Sequence, residues 1–262
     1  MAAVERPTSY SQSLERGLAI LSAFKPARPL LGISELARSL ELNRSTAHRY
    51  VGTLTALGYL QQDRVTRKYR LGPRVLDLGF SAINSMALPE LGRPHLQHLS
   101  DETGHTANMA ILDGVEIVYV ERVRGGQSEI DLNLHVGSRL PAYCTSMGKV
   151  LLAYLAPEAR AEALDVMELV RRGPNTVTER GALCAELDRV RDAGLAVNDE
   201  ELAAGLRSIA VPVRARSGEV EAAINLAVHR TTVSMSDLIA RLAPALERTA
   251  AEISARAGYR DE

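Results

Sequence analysis

The sequence predicts an α+β chain in two parts, a basic helical head followed by a larger antiparallel sheet with flanking helices. Three observations predict it. Apolar residues recur at helical spacing in three segments before residue 58. Further on, β-rich runs lie on either side of Asp113-Gly114, which marks a hairpin. Charge divides the same two parts. Residues 1–80 hold 12 Lys and Arg against 6 Asp and Glu, and the remainder holds 19 against 26, although the 262-residue chain has a formal net charge of only −1. A basic segment joined to an acidic one points to two jobs, the basic one against a polyanion whose phosphates release counterions to Lys and Arg.

Composition narrows the class. With 46% hydrophobic and 24% charged residues the chain supports a packed core, which excludes a disordered protein. No stretch approaches the ~18 apolar residues of a membrane span. The opening Met1-Ala2-Ala3-Val4-Glu5-Arg6-Pro7 lacks the apolar run of a signal peptide, and Cys144 and Cys184 cannot make a disulfide framework. The expected location is the cytoplasm, with no membrane partner.

In the head, residues 13–21 begin with the capping residue Ser13 and space Leu14, Leu18 and Leu21 along one helix face, until Pro26 and Pro29 break the pattern. A second helix over 33–40 has Ser34 as cap, Glu35 at its positive end, and Leu36, Ala37 and Leu40 on one face. After the break Glu41-Leu42-Asn43, a third helix runs from about 44 to 57 with Ala47, Tyr50, Val51, Leu54 and Leu57 inward. Its other face carries Arg44, Ser45, His48, Arg49 and Gly52, with Thr46 near the start. Two short helices joined by a tight turn form a helix-turn-helix, whose second helix enters the major groove of double-stranded DNA. Arg, Ser, Thr and His there are suited to base edges and phosphates. Short strands at 59–61 and 69–71 flank a basic tip that reads as a wing, with Arg64, Arg67 and Lys68 as phosphate contacts. The head is thus a winged helix-turn-helix over 1–74. Pro73 opens a further helix over 75–87, with Val75, Leu76, Gly79, Phe80 and Ile83 as its apolar stripe and Pro89 as its stop, serving as linker and dimer contact.

The second domain is expected over 88–262. Its predicted elements are a helix from Pro89 to about 102, strands at 106–112, 115–120 and 128–135, and helices at 147–155, 157–167 and 178–193. Strands at 195–199, 208–214 and 220–229 follow, and a single helix over 236–257 closes the chain. Hairpins interleaved with helices imply α+β rather than a doubly wound sheet.

No catalytic, metal or cofactor motif accompanies these elements. Met147-Gly148-Lys149 lacks the earlier glycine and the following Ser or Thr of a phosphate-binding loop. Cys144 precedes a helix, and His135 and His229 are possible bases, but none has a positioned third group. The leading expectation from these elements is a DNA-binding regulator with a sensor-like second domain. The alternatives are a small-molecule-binding enzyme with an accessory nucleic-acid domain, and an architectural DNA protein without ligand.

Three motifs resemble those of one family in the family's order. They are Tyr10-Ser11-Gln12-Ser13-Leu14-Glu15-Arg16-Gly17-Leu18-Ala19-Ile20-Leu21, the stretch from Gly137 to Ala153, and Asp199-Glu200-Glu201 with Gly205-Leu206-Arg207-Ser208-Ile209-Ala210. Together they are similar to IclR-type transcriptional regulators. The opening, Leu88-Pro89-Glu90-Leu91 and Leu140-Pro141-Ala142-Tyr143 most resemble the PcaR/PcaU/PobR branch, which controls aromatic-acid catabolism through the β-ketoadipate pathway. The resemblance implies a GAF-like effector domain whose pocket falls on Leu132, Leu140, Ser146, Met147, Asn198, Asp199, Ser208, Asn225 and Ala227. It implies an organic-acid effector, such as protocatechuate, 4-hydroxybenzoate or β-ketoadipate, and a homodimer or dimer of dimers on a near-palindromic operator. Backbone amides at Ser146-Met147-Gly148 are expected to receive the carboxylate at a helix start, with Arg139 and Arg207 as candidate counter-ions.

Overall fold

A computed structural model describes residues 9–126 and 134–260, apart from the side chains of residues 83 and 84. The chain divides into two compact units, Met1–Ser85 and Met86–Glu262.

The first unit contains α1 (Gln12–Ser22), α2 (Ile33–Ser39), α3 (Arg44–Ala56), the antiparallel pair β1 (Leu60–Gln62) and β2 (Tyr69–Leu71), and α4 (Arg74–Asn84). The helices start where side chains satisfy their unpaired amides. Ser11, not Ser13, caps α1 by accepting from Leu14 N at 3.3 Å. At α2 the expected cap Ser34 is inside the helix, and Glu35 reaches back to Gly32 N at 2.7 Å. Asn43, placed by the sequence in a plain break, caps α3 through Thr46 N at 2.7 Å. The core is Ile20, Leu31, Leu36, Val51 and Leu60, each worth ~1.5–3 kcal/mol on burial. Leu14 and Leu18, expected with Leu21 along one face of the first helix, are exposed, and the buried residue of that helix is Ile20. On α4, Leu76, Leu78 and Phe80 are exposed as well.

The second unit opens with α5 (Ala87–Thr103). The expected break at Pro89 is therefore displaced. α4 ends at Asn84, and Pro89 sits in the first turn of α5, where its missing N–H has no helical partner to lose. There follow β3 (Thr106–Asp113), β4 (Glu116–Val123), β5 (Arg139–Pro141), a 3-10 turn (Ala142–Cys144), α6 (Ser146–Ala153), α7 (Pro157–Val166) and α8 (Arg180–Ala193). The chain ends with β6 (Ala196–Asp199), β7 (Leu206–Arg214), β8 (Val220–His229), α9 (Met235–Asp237) and α10 (Ala243–Arg256). The sheet is antiparallel in the order β5-β4-β3-β8-β7-β6. Leu88, Leu96 and Leu99 of α5 and Leu246 and Ile253 of α10 cover one face with Met109 and Ile224. Met147, Val150 and Leu152 of α6 and Leu183 and Leu187 of α8 belong to the opposite layer with Ala110 and Ala223. Alternation along β3 and β8 divides the two layers.

Two expectations are corrected here. The strand expected at 128–135 lies mostly outside the described residues, and Leu134 and His135 are not in a strand; β5, too short to show alternation, edges the sheet instead. The single closing helix is interrupted by a π-helical turn at Leu238–Leu242. Pro244 follows in the first turn of α10 and cannot donate to the carbonyl one turn back.

Candidate functional site

Two adjacent rungs of the large sheet bring polar residues together on one face. In the first, Asn108 of β3 lies between Arg122 of β4 and Asn225 of β8. In the second, Thr106 pairs with Ala227, Ala227 with Ser208 of β7, and Ser208 with Asn198 of β6. Thr106 and Asn108 are two residues apart, as are Asn225 and Ala227, so the rungs share a face. They floor a concavity whose walls include Tyr119, Leu134, Leu202 and Leu206.

The polar atoms form a chain. Arg122 Nη1 donates to Asn108 Oδ1 at 2.7 Å, and Asn108 Nδ2 donates to Asn225 Oδ1 at 2.7 Å. Arg122 Nε is buried with no hydrogen-bond partner, and no carboxylate among the described residues pairs with the guanidinium. Burial lowers the Arg122 pKa, and the nearby Arg124 charge adds to the effect. An unpaired cation in such a place is costly unless an anion joins it. Burial also pushes the Tyr119 phenol up to about 12, so its hydroxyl stays neutral. Ser146 Oγ and Ser208 Oγ lie 2.7 Å apart, and Asn198 is braced between the Cys144 carbonyl at 2.6 Å and Glu201 N at 3.2 Å.

The residues expected in the pocket separate into groups. Asn198, Ser208, Asn225 and Ala227 line the concavity, and Ser146 reaches it through Ser208. Met147 is fully buried in the core beneath α6, and Leu140 packs into the same apolar layer, so neither lines it. Asp199 alternates with Asn198 along β6 and instead accepts from Arg207 Nε at 2.7 Å. Leu132 lies outside the described residues. The helix start expected to hold a carboxylate is already capped by the chain, since Thr145 Oγ1 accepts from Gly148 N at 3.2 Å. Both candidate counter-ions are engaged: Arg207 with Asp199, and Arg139 with Asp113 at 2.6 Å and Glu116 at 2.8 Å. Arg122, Asn108, Thr106, Tyr119 and Thr145 were not singled out from the sequence. The signal present was Thr106 and Asn108 on one face of an otherwise apolar strand.

The other reactive candidates are quiescent. Burial raises the Cys144 thiol to about 11, which keeps it protonated. His229 Nδ1 is 2.7 Å from Thr231 Oγ1, and His135 Nδ1 is 2.9 Å from the Val136 carbonyl. Among the described residues no cluster of three His, Cys, Asp or Glu could hold a metal, and no helix is long and apolar enough to cross a membrane.

On the head, Arg44, Ser45, His48 and Arg49 are exposed on α3, while Thr46 is half-buried. The Arg49 guanidinium lies 5.8 Å from the Tyr50 ring centre. Arg64 and Arg67 are exposed at the wing tip, which Asp63 folds by accepting from Thr66 N at 2.7 Å. Lys68 differs: its Nζ is 3.0 Å from Glu35 on α2, so this charge is already paired.

Comparison with known proteins agrees with both units. Residues 13–64 match the IclR helix-turn-helix domain and residues 80–255 match the bacterial transcriptional regulator IclR C-terminal family. The Pca regulon regulatory protein of Pseudomonas putida is 40% identical over 237 residues, 90% of this chain and 81% of that protein. A crystal structure from Rhodococcus sp. RHA1, described as a transcriptional regulator, superposes with a TM-score of 0.82 at 40% identity, covering 94% of this chain and 98% of that one. An IclR homolog from Microbacterium hydrocarbonoxydans complexed with 4-hydroxybenzoate superposes with a TM-score of 0.80 at 28% identity, covering 94% and 98%. The chain therefore belongs to the IclR family: it is a DNA-binding transcriptional regulator with an effector-binding domain, and not an enzyme.

Proposed function

We propose that the chain regulates aromatic-acid catabolic genes of the β-ketoadipate pathway and is switched by an organic acid bound on the polar rungs. One observation carries the effector assignment: the Arg122 guanidinium lines the concavity with, among the described residues, no carboxylate partner and an unused Nε. A carboxylate supplies the missing charge and accepts charge-assisted hydrogen bonds. Ser208, Ser146 and Asn225 face the rest of the ligand, and Leu134, Leu202 and Leu206 cover its carbon skeleton. The similarity to a Pca regulon regulator and to a homolog complexed with 4-hydroxybenzoate supports an acid of this class.

In this reading residues 1–74 bind operator DNA, and residues 88–262 sense the effector. Arg44, Ser45, Thr46, His48 and Arg49 meet the major groove, and Arg64 and Arg67 meet phosphates. Two heads on one two-fold axis would read a near-palindromic site as a homodimer or dimer of dimers. Light scattering that shows a monomer at micromolar concentration would contradict that assembly.

Calorimetry with 4-hydroxybenzoate, protocatechuate and β-ketoadipate, set against methyl 4-hydroxybenzoate, tests the effector. The ester should lose about 1.5–3 kcal/mol, the scale of a hydrogen bond to a charged group. Mobility-shift titrations with and without the acid should differ. Equal binding of acid and ester, or no binding of any of them, overturns the proposal.

A further inference from the structure

The chain Arg122–Asn108–Asn225 has a direction that follows from chemistry alone. A guanidinium has only N–H donors, so the Asn108 atom facing Arg122 at 2.7 Å must be its oxygen. Asn108 therefore turns its NH₂ toward Asn225, and the Asn225 atom that meets it at 2.7 Å must be an oxygen in turn. Asn225 is left with its Nδ2, which has no partner among the described residues. Neither amide can flip without placing two donors or two acceptors against each other.

The neighbouring hydroxyls do not reverse this polarity. Tyr119 carries a neutral O–H, and Ser146 and Ser208 share one proton between their oxygens, which leaves the other available. Asn198 is spent on the Cys144 carbonyl and Glu201 N, and Thr145 on Gly148 N and the Pro141 carbonyl. Arg122 and Asn225 thus present donors at either side of Asn108, on the two strands that flank β3. A benzene ring substituted at opposite ends carries one group toward each.

Resting on the effector reading above, we infer that the cavity selects ligands with acceptors at both ends: a carboxylate for Arg122 and a second hydrogen-bond acceptor for Asn225. Asn108 acts as a positioning residue that transmits the donor polarity of Arg122 to Asn225. A distal group that can only donate finds Nδ2 opposed to it, and Nδ2 is left unpaired in a partly buried site. A distal hydroxyl is admitted through its oxygen lone pairs.

Calorimetry on the full chain with 4-formylbenzoate, 4-aminobenzoate and 4-hydroxybenzoate tests this. The formyl oxygen only accepts, whereas the amine donates and its lone pair is delocalised into the ring. The wild type should bind the formyl compound roughly tenfold or more tightly than the amino compound, the scale of one unmatched buried hydrogen bond. In Asn108→Asp both carboxylate oxygens accept, so Asn225 is free to turn its NH₂ toward residue 108 and its oxygen toward the ligand. That variant should bind every benzoate more weakly, because Arg122 gains an internal counter-ion, yet the formyl-over-amino order should invert. Asn225→Asp should invert it as well, and it keeps the test open if Asn108→Asp binds too weakly to measure. An amino preference in the wild type, or an order unchanged in both variants, overturns the inference while the effector reading stands. Failure of all three benzoates to bind the wild type overturns the effector reading itself.

Discussion

Lys149 Nζ lies 2.6 Å from Glu201 Oε1, with both side chains almost wholly buried between α6 and the start of the β6–β7 connection. A second carboxylate, Glu186 of α8, approaches the same ammonium at 3.0 Å. The two carboxyls respond differently. Burial pushes Glu201 above its ordinary pKa despite Lys149, and its Oε2 has no hydrogen-bond partner. At Glu186 burial is outweighed by Arg189 and Lys149, and its pKa is lowered. Because Glu201 N also holds Asn198, this ion pair braces one wall of the concavity on the sheet.

Replacing Lys149 by Met should therefore be severe, costing about 3–5 kcal/mol at neutral pH, the scale of a buried charge stripped of its partner. The pH dependence has a definite sign. A carboxyl raised in the folded state contributes stability that is fully present below its unfolded pKa and is lost as pH rises through the folded one. Removing Lys149 raises Glu201 further, so the deficit against wild type should be small in acid and grow as pH rises. Thermal unfolding of both proteins from about pH 4 to pH 8 checks it. A deficit independent of pH would show that the charge of Glu201 is not its cause.

Arg122→Gln should weaken binding of 4-hydroxybenzoate by about 1.5–3 kcal/mol, since a charge-assisted contact becomes a neutral one. The folded protein should lose little stability, because the guanidinium is already under-satisfied. Calorimetry and a melting curve on the same sample separate the two. Unchanged affinity would move the carboxylate elsewhere in the cavity.

Alanine at Arg44 or Arg49 should cost about 1–3 kcal/mol in operator binding and relax sequence preference, as expected for lost base contacts. Arg67→Ala should weaken all sequences alike and flatten the salt dependence. Lys68→Ala should do less than Arg67→Ala, because Glu35 already neutralises Lys68. Mobility shifts at two salt concentrations distinguish these cases. Wild-type operator binding by both α3 variants would mean that this face does not enter the groove.

Gly148→Ala should destabilise the second unit by about 2–4 kcal/mol, because the added methyl would overlap the Ala142 carbonyl in the preceding 3-10 turn. The start of α6 carries Ser146, so effector affinity should fall with stability. Chemical denaturation with a wild-type slope and a lower midpoint is the expected result. A wild-type midpoint would show that α6 shifts to make room.

The head was readable from the sequence because its signals are local. Helical spacing around Leu36, Ala47 and Val51, and the basic tip between two short strands, depend on residues a turn or a hairpin apart. The β3–β4 hairpin was readable at Asp113-Gly114 for the same reason, and motif resemblance carried the family. Capping needed more, since Ser11, Glu35 and Asn43 won over Ser13 and Ser34 through backbone geometry. The polar floor of the concavity was decided only by tertiary structure. Asn108, Arg122 and Asn225 are brought together by strand register, and no pattern along the chain says which residue of β8 faces Asn108. Likewise Arg139 and Arg207 were the expected counter-ions until folding placed carboxylates beside them, while among the described residues none pairs with Arg122. Residue type and spacing determined the elements and the family. Which cations found an anion was settled by the pairing of segments distant in sequence, because electrostatic satisfaction is a property of neighbours in space.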